Sequence, residues 1–202
     1  MMLFIISLFL SYLIGSIPTG YLISKWFKKI DIREHGSGNP GATNVFRVVG
    51  TTAGAITLII DFFKGFIPVI TAIHFFPNQL ILIVIIGLFS IAGHNWTLFL
   101  KFRGGKGVIT SGGVFMAILP IPTTIAFTIF LITFFATKHV SIGSMISAIS
   151  LPISVWFING SYFLTTVSFF CAALIIFLHR SNISRLIKGK ELKISLGEKN
   201  EK

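Results

Sequence analysis

Long apolar stretches alternate with short polar segments along almost the whole chain. Four runs, residues 1–24, 65–100, 107–137 and 139–179, contain no Asp, Glu, Lys or Arg. Because a helix that crosses a bilayer needs about 20 mostly apolar residues, these runs hold several membrane spans and leave no room for a soluble core. The pattern predicts an all-α polytopic membrane protein that forms a single domain over residues 1–202.

Turn signals divide the apolar runs into seven predicted spans. The segments "FPNQ", "LPIP" and "NGS" contain the proline and Asn-Gly residues that favour turns. Residues 107–137 make either one long tilted helix or two short ones, and the two prolines of "LPIP" favour two. Pro18 lies inside the first span, where neighbouring helices have to satisfy the freed backbone groups. The predicted spans are 2–23, 52–75, 80–100, 107–119, 122–137, 142–158 and 161–178.

Positive charge is confined to one side of this topology. With seven alternating spans, 16 of the 17 Lys and Arg residues lie in segments on one face, and only Lys64 falls inside a span. Since positive charge marks the cytoplasmic side, the N-terminus is predicted outside and the C-terminus in the cytoplasm. A six-span arrangement would place Lys138 and the basic tail outside, against this rule. The net charge of +11 therefore reflects membrane topology and does not indicate nucleic-acid binding.

The sequence also supports expectations for the first apolar stretch, the polar tail and the single cysteine. No positive charge precedes the first apolar stretch and no small-residue cleavage site follows it, so we expect a retained helix and not a removable signal peptide. The polar tail after Leu192 is expected to lack regular structure. The lone Cys171 lies in an apolar run, which excludes a disulfide framework.

Three polar clusters stand at predicted helix boundaries on the cytoplasmic side, at residues 35–47, 93–110 and 179–191. The first, "HGSGNPGATNVFR", has a GxGxxG spacing but lacks the preceding strand of a dinucleotide site. Its glycines let the backbone approach a ligand closely, and Arg47 offers a two-pronged fork for phosphate. Its hydrogen-bonding side chains are Ser37, Asn39, Thr43 and Asn44. A turn-rich connecting loop is the alternative.

The second cluster places a glycine-rich basic loop directly before an apolar helix, at Gly104, Gly105, Lys106 and Gly107. It lacks the spacing of a nucleotide-binding P-loop. Glycines and cations at a helix N-terminus nevertheless form an anion site, because unpaired N–H groups and the helix dipole face the ligand. An ordinary positive membrane anchor explains the cations but does not explain three glycines.

The third cluster and an intramembrane pair complete the candidate residues. His179 and Asn182 lie three residues apart on one helical face, where they can bind a hydroxyl or phosphate. A basic helix attracted to anionic lipid is the alternative. Asp61 and Lys64 lie one turn apart inside the second span, either as a functional site or as a mutually neutralising pair. No metal-binding signature is present in the sequence.

Taken together and in this order, the clusters resemble the motifs of the acyl-phosphate-dependent glycerol-3-phosphate acyltransferases of bacteria, the PlsY family. The segment "DFFKG" at residues 61–65 also resembles that family's pattern. The resemblance implies a seven-helix enzyme of the bacterial inner membrane whose active site faces the cytoplasm. It would transfer a long-chain acyl group from acyl phosphate to the 1-hydroxyl of sn-glycerol 3-phosphate, giving lysophosphatidic acid and phosphate. It would need no cofactor, and we expect a monomer.

The resemblance also implies a role for each candidate residue. Ser37, Arg47, His179 and Asn182 would be catalytic. The substrate-binding residues would be Gly104, Gly105, Lys106 and Gly107, which hold the phosphate of glycerol 3-phosphate, together with Asn39, Thr43, Asn44 and His94. Asp61, Lys64 and Glu191 would be structural. The group that accepts the hydroxyl proton stays open among His179, His94 and a substrate phosphate.

Two other classes of protein compete with an acyltransferase. A transporter or channel for a phosphorylated solute would also need cations near membrane depth, but the polar clusters lie on one side only and no internal repeat is visible. A purely structural membrane protein would not need three glycine-rich polar loops.

Overall fold

The computed structural model describes residues 1–193, and this part of the chain is all helical, as predicted. The predicted irregular tail falls almost entirely outside the described residues. The α-helices are α1 (Met2–Ser16), α2 (Thr19–Lys28), α3 (Ala42–Val48), α4 (Thr51–Phe75), α5 (Leu80–Asn95), α6 (Val108–Ile118), α7 (Pro120–Thr137), α8 (Val140–Asn159), α9 (Tyr162–Leu178) and α10 (Arg180–Ile187). Short 3₁₀ turns lie at Ile32–Glu34 and Leu98–Leu100.

The helices group into two compact units. The first unit runs from Met1 to Pro120 and contains α1 to α6, and the second unit starts at Ile121 and contains most of α7 together with α8 to α10.

Five helical segments of the described residues are long and apolar enough to cross a membrane. They are Met2–Lys28, Thr51–Phe75, Leu80–Leu100, Pro120–Thr137 and Val140–Asn159. The pair α9 and α10, bent by 55°, makes a sixth segment if it is counted as one span, and α6 is a shorter apolar helix of 11 residues. The apolar helices predicted from the uncharged runs are therefore present, although one of them is short.

Glycines bring the helices of the first unit into backbone contact. A Cβ on Gly65 of α4 or on Gly113 of α6 would lie 2.1 Å from a backbone oxygen of the facing helix. Helices α1 and α5 meet in the same way at Gly15 and Gly93, where the distance would be 2.2 Å. Only glycine permits these approaches, and close packing through small residues is a principal source of helix association in membranes.

The predicted first span is broken at Pro18, between α1 and α2. The break frees backbone carbonyls, and side chains from elsewhere in the first unit satisfy them. The Lys64 Nζ donates to the Ile17 carbonyl at 2.9 Å, and the Thr97 hydroxyl donates to the Ser16 carbonyl. The expectation that neighbouring helices satisfy the backbone around Pro18 is confirmed, and Met2–Lys28 remains one apolar segment long enough to cross a membrane.

Two other helix boundaries can be compared with those predicted from turn residues in the sequence. Helix α6 ends at Ile118 and α7 begins at Pro120, so the two-helix interpretation of "LPIP" is correct. The third predicted span, 80–100, matches the apolar segment Leu80–Leu100, although α5 itself ends within it at Asn95. The chain then makes a 3₁₀ turn and passes through left-handed backbone at Lys101 and Phe102, a conformation that the apolar pattern does not reveal.

Candidate functional site

The first polar cluster folds as a loop that leads into a short helix, where the sequence had predicted only a loop. Helix α3 has seven residues and carries Arg47, which is half-buried, in its last turn. Ile32 and Val45 are fully buried and pack with Ile23 of α2 and Ala53 of α4. This small apolar cluster fixes the polar loop to the helices on either side of it.

Asn44 holds the loop in shape from inside. Its buried Oδ1 accepts the Ser37 N–H at 2.9 Å. Its Nδ2 donates to the Ile32 carbonyl at 3.2 Å and to the His35 carbonyl at 2.9 Å. Because these contacts occupy both ends of the amide, Asn44 positions Ser37, and the direct substrate contact expected for Asn44 stays a prediction.

The other polar side chains of this cluster are half-buried and make fewer hydrogen bonds than Asn44. The Asn39 Oδ1 accepts the Gly41 N–H at 2.9 Å, and this contact leaves the amide nitrogen as a donor. The hydroxyls of Ser37 and Thr43 make no hydrogen bond within residues 1–193. Ser37, Asn39 and Thr43 therefore keep polar groups that can meet a ligand.

The glycine-rich loop of the second cluster is fastened to the end of α5. The Gly104 N–H donates to the Asn95 carbonyl and the Gly105 N–H donates to the His94 carbonyl, both at 3.0 Å. A Cβ on Gly104 would lie 2.0 Å from the His94 carbonyl oxygen. These two N–H groups are therefore engaged within the protein, and the expectation that the loop holds a phosphate stays a prediction. The N–H groups without a helical partner are those at the start of α6, from Val108 onward.

Asn95, which sequence reasoning did not single out, lies against this loop. It is buried, and neither atom of its amide has a hydrogen-bond partner in the described part of the chain. A Cβ on Gly107 would lie 2.5 Å from the Asn95 Oδ1, and Gly107 has a φ of 74°, which favours glycine. An asparagine at a helix end carries no motif signal, so only the fold reveals this contact.

The structure brings the first and second clusters together within the first unit. An open cleft lies between them, and its lining residues are Asp31, Arg33, Glu34, Gly38, Asn39, Pro40, Arg103 and Gly104. At its edge, Arg33 is paired with Asp31 at 2.6 Å. The hydrogen bond from Arg33 lowers the pKa of Asp31 to about 2.

Asp61, Lys64 and His94 form a buried cluster beside the glycine-rich loop. Asp61 is 3% exposed and Lys64 is 4% exposed, and the Lys64 Nζ lies 2.8 Å from the Asp61 Oδ1. The same Nζ lies 3.2 Å from the His94 Nδ1. A small pocket here is lined by Lys64, His94, Gly104 and Gly105, among other residues. The predicted pair of opposite charges is therefore present, with His94 as a third member.

The third cluster belongs to the second unit and lies at the bend between α9 and α10. The His179 Nδ1 is 2.8 Å from the Ile175 carbonyl oxygen. A carbonyl only accepts hydrogen bonds, so the Nδ1 carries a proton, and in the neutral ring the Nε2 has the lone pair. Asn182 is buried, and its Nδ2 donates to the Glu191 Oε1 at 2.6 Å.

Glu191 joins the last loop to α8 and α10. Its carboxylate, whose side chain is 5% exposed, also accepts from the Ser141 hydroxyl and from the Arg185 Nε, each at 2.8 Å. Burial alone would raise the pKa of Glu191, but the hydrogen bonds from Asn182, Ser141 and Arg185 outweigh burial and lower it. Sequence reasoning missed Ser141, because a serine in an apolar run has no pattern that distinguishes it.

The lowered pKa of Glu191 predicts a stability loss in acid. A carboxyl whose pKa is depressed by folding stabilises the protein above its unfolded pKa, and this stability is lost as the pH falls through the folded value. We expect Glu191→Gln to be less stable than wild type at neutral pH, since its amide nitrogen would face the Arg185 donor. Thermal melts in detergent at several pH values measure this. A difference between the two proteins that does not shrink in acid would contradict the prediction.

Within residues 1–193, no group of three or more His, Cys, Asp or Glu side chains is arranged to hold a metal ion. The expected lack of a metal and of a cofactor stays a prediction.

Known proteins match this chain over nearly its whole length. A family model described as glycerol-3-phosphate acyltransferase matches residues 5–189. A glycerol-3-phosphate acyltransferase of Endomicrobium trichonymphae is 45% identical over 98% of this chain and 100% of its own length. One from Staphylococcus carnosus is also 45% identical, over 96% of this chain and 98% of its own.

Solved structures agree with the relatives. The glycerol 3-phosphate form of PlsY, an integral membrane glycerol 3-phosphate acyltransferase, superposes with a TM-score of 0.90 and 36% identity, covering 95% of this chain and 96% of that chain. The lysophosphatidic acid form gives a TM-score of 0.86 at 35% identity, covering 95% of each chain. With its three polar clusters, its apolar helices and these full-length matches, the chain belongs to the glycerol-3-phosphate acyltransferase family, and its fold is that of the integral membrane protein PlsY.

Proposed function

We propose that this protein transfers a long-chain acyl group from acyl phosphate to the 1-hydroxyl of sn-glycerol 3-phosphate. The observation that carries the proposal is the 45% identity to glycerol-3-phosphate acyltransferases across the whole chain. The choice of acyl phosphate as donor is supported by the sequence motifs of the PlsY family in all three polar clusters. The products are 1-acyl-glycerol 3-phosphate and inorganic phosphate.

The reaction needs positioning more than it needs covalent chemistry. The hydroxyl oxygen attacks the acyl carbonyl carbon, the bond from that carbon to the phosphate oxygen breaks, and the hydroxyl proton leaves overall on inorganic phosphate. An acyl phosphate is a mixed anhydride and is already activated, so the protein supplies orientation and stabilises developing negative charge. No cofactor takes part in the proposed reaction.

The roles proposed for the residues follow their local geometry. Arg47 binds a substrate phosphate through its guanidinium fork, and Ser37, Asn39 and Thr43 donate hydrogen bonds from the same loop. Lys106 and the start of α6 hold the phosphate of glycerol 3-phosphate, on a loop whose shape requires Gly104, Gly105 and Gly107. His179 and Asn182 position substrate, and Glu191 fixes the orientation of Asn182. Asn44, Asp61 and Lys64 support the loops.

We place the protein in the bacterial inner membrane as a monomeric single domain with seven crossings. The five long segments, the bent pair α9–α10 and the short α6 supply seven helical segments. The basic residues favour an N-terminus outside and a C-terminus in the cytoplasm. The three polar clusters then face the compartment in which glycerol 3-phosphate is dissolved.

The donor and acceptor can be tested with purified protein in lipid nanodiscs. We expect labelled glycerol 3-phosphate and palmitoyl phosphate to give lysophosphatidic acid and one equivalent of inorganic phosphate. Palmitoyl-CoA in place of palmitoyl phosphate should give little product. Equal use of both donors would overturn the assignment of acyl phosphate as the donor. No product from either donor would overturn the proposed function.

Two controls define the chemistry of the acceptor. The mirror-image sn-glycerol 1-phosphate has the same charge and should be acylated poorly, because a fixed phosphate site presents the wrong hydroxyl. Digestion of the product with a lipase specific for the 1-position should release the label of a tritiated palmitoyl chain. Release of that label only after cleavage at the 2-position would contradict the proposed regiochemistry.

A further inference from the structure

The Lys64 ammonium group defines the hydrogen bonding of the buried cluster. Its Nζ is 2.9 Å from the Ile17 carbonyl oxygen, 2.8 Å from the Asp61 Oδ1 and 3.2 Å from the His94 Nδ1. An ammonium group has three N–H donors and no acceptor. The contact with His94 therefore requires a lone pair on the Nδ1 of that ring.

A lone pair on Nδ1 fixes the proton of His94 on the other nitrogen. The neutral imidazole carries one proton, which must then be on Nε2. An imidazolium would direct an N–H at the Lys64 ammonium, and two donors do not bond. The Asp61 Oδ1 is 3.8 Å from the His94 Nδ1, too far for a hydrogen bond that would hold a proton there.

The Nε2 of His94 lies against the glycine-rich loop. A Cβ on Gly105 would be 2.1 Å from this nitrogen, so only a glycine allows the ring to lie there. The Nε2 has no hydrogen-bond partner among residues 1–193, and the His94 side chain is 10% exposed, in the small pocket that Gly104 and Gly105 also line. The pocket holds about one water-sized oxygen, with a volume of ≈ 10 Å³.

We propose that the His94 Nε2–H donates a hydrogen bond to a phosphate oxygen of glycerol 3-phosphate, and that Lys64 fixes the ring in this donor state. The inference rests on the proposed function for the identity of the oxygen, since the loop beside Gly105 is assigned there to the acceptor phosphate. His94 is thereby a hydrogen-bond donor and not the base that removes the hydroxyl proton. Lys64 sets this tautomer, and the Asp61 carboxylate compensates the positive charge of Lys64.

His94 of the second polar cluster and His179 of the third hold opposite tautomers. His179 donates from Nδ1 to the Ile175 carbonyl and keeps a lone pair on Nε2, whereas His94 accepts on Nδ1 and keeps a proton on Nε2. The Nδ1 of His179 meets a backbone carbonyl, and the Nδ1 of His94 meets a side-chain ammonium group. The same residue type thus supplies an acceptor in one motif and a donor in another.

Nitrogen NMR of the full-length protein, with ¹⁵N-labelled histidine in lipid nanodiscs, tests the tautomer directly. The His94 signals are assigned by their loss in His94→Gln, and the exposed His74 serves as control through His74→Gln. We expect an unprotonated Nδ1 and a protonated Nε2 at neutral pH. A proton on the His94 Nδ1 would overturn the proposal, whatever the activity of the protein.

Addition of substrate then identifies the oxygen that accepts the hydrogen bond from the His94 Nε2–H. We expect glycerol 3-phosphate to shift the His94 Nε2–H signal and to leave the His74 signals in place. A non-hydrolysable acyl phosphonate, added alone, should leave the His94 signal unchanged. A shift of the His94 signal on adding the phosphonate alone would show that His94 contacts the acyl donor, and this would overturn the assignment. No response to either ligand would overturn it as well.

Two variants separate a hydrogen-bond donor from a base and from a packing residue. Glutamine can accept from Lys64 and donate to phosphate, so we expect His94→Gln to keep its KM for glycerol 3-phosphate within about threefold of wild type. His94→Leu fills similar space without a donor and should raise this KM about tenfold or more, as expected for a lost bond to a charged group. Equal defects in both variants would contradict the proposal.

The failure of the proposed function and the failure of this inference give different results. If wild-type protein makes no lysophosphatidic acid from palmitoyl phosphate, the proposed function fails, while the nitrogen spectrum still reports the tautomer and the ligand. If wild type is active but His94→Gln loses kcat while keeping its KM and its melting temperature, His94 is a base and the inference fails.

Discussion

Replacement of Arg47 by alanine is expected to reduce the formation of lysophosphatidic acid by about 100-fold or more, with the protein still folded. Arg47 is half-buried in the last turn of α3, the helix whose Val45 belongs to the apolar cluster that fixes the first loop. A methyl group there leaves the negative charge of a substrate phosphate without its two-pronged partner. Initial rates with palmitoyl phosphate and glycerol 3-phosphate measure the loss.

Two matched variants show whether the effect is specific to the guanidinium of Arg47. Arg47→Lys keeps the charge but loses the fork and should recover only part of the rate. Lys25→Ala removes an exposed cation of α2 that does not line the cleft, and it should stay close to wild type. Substantial activity in Arg47→Ala, with an unchanged melting temperature, would remove Arg47 from the proposed site.

Lys64→Met is expected to produce the largest loss of stability, about 3–5 kcal/mol of unfolding free energy. The substitution leaves the buried Asp61 carboxylate and the freed Ile17 carbonyl without their cationic partner. Removing one member of a buried pair is costly because the remaining charge stays desolvated. Reversible unfolding in mixed detergent micelles gives the free energy of each variant.

Neutralising both members should restore much of this stability. The double variant Asp61→Asn with Lys64→Met has no uncompensated charge, and we expect it to be more stable than Lys64→Met alone. Asp31→Asn is the matched control, because its pair with Arg33 lies at the surface and contributes at most about 1 kcal/mol. If Lys64→Met were as stable as this control, the buried pair would have no structural role.

The sequence predicted the elements that hydrophobicity and proline determine. Helix α4 spans Thr51–Phe75 where residues 52–75 were expected, and the break at Pro120 separates α6 from α7. Such features depend on the residues within a short stretch of the sequence. Helix α5 ends at Asn95, where Trp96 leaves the helical conformation, and the left-handed backbone of Lys101 and Phe102 follows in the next turn. The apolar pattern does not mark this boundary.

The residue types of the candidate site were more predictable than their partners. The glycines of residues 104–107 were recognised as a loop, but the N–H groups of Gly104 and Gly105 proved to be engaged with the end of α5. Asn44 was expected to offer its amide to a ligand, and the structure shows it inside the loop. In both cases the partners lie in the same stretch of chain, but residue types alone do not determine the loop conformation that brings them together.

The shortness of α6 has a consequence for where the glycine-rich loop lies in a bilayer. Its 11 residues rise about 16 Å, roughly half of the ~30 Å hydrocarbon thickness. In the proposed topology, a helix of this length leaves one of its two ends below the lipid headgroups. We expect this end to be the polar glycine-rich loop before α6, in an indentation of the membrane that protein and water fill. A water-soluble phosphate ester can descend there to the depth at which the carbonyl of a membrane-anchored acyl chain resides. The truncated helix thus lets an aqueous substrate and a lipid meet without either one leaving its own phase.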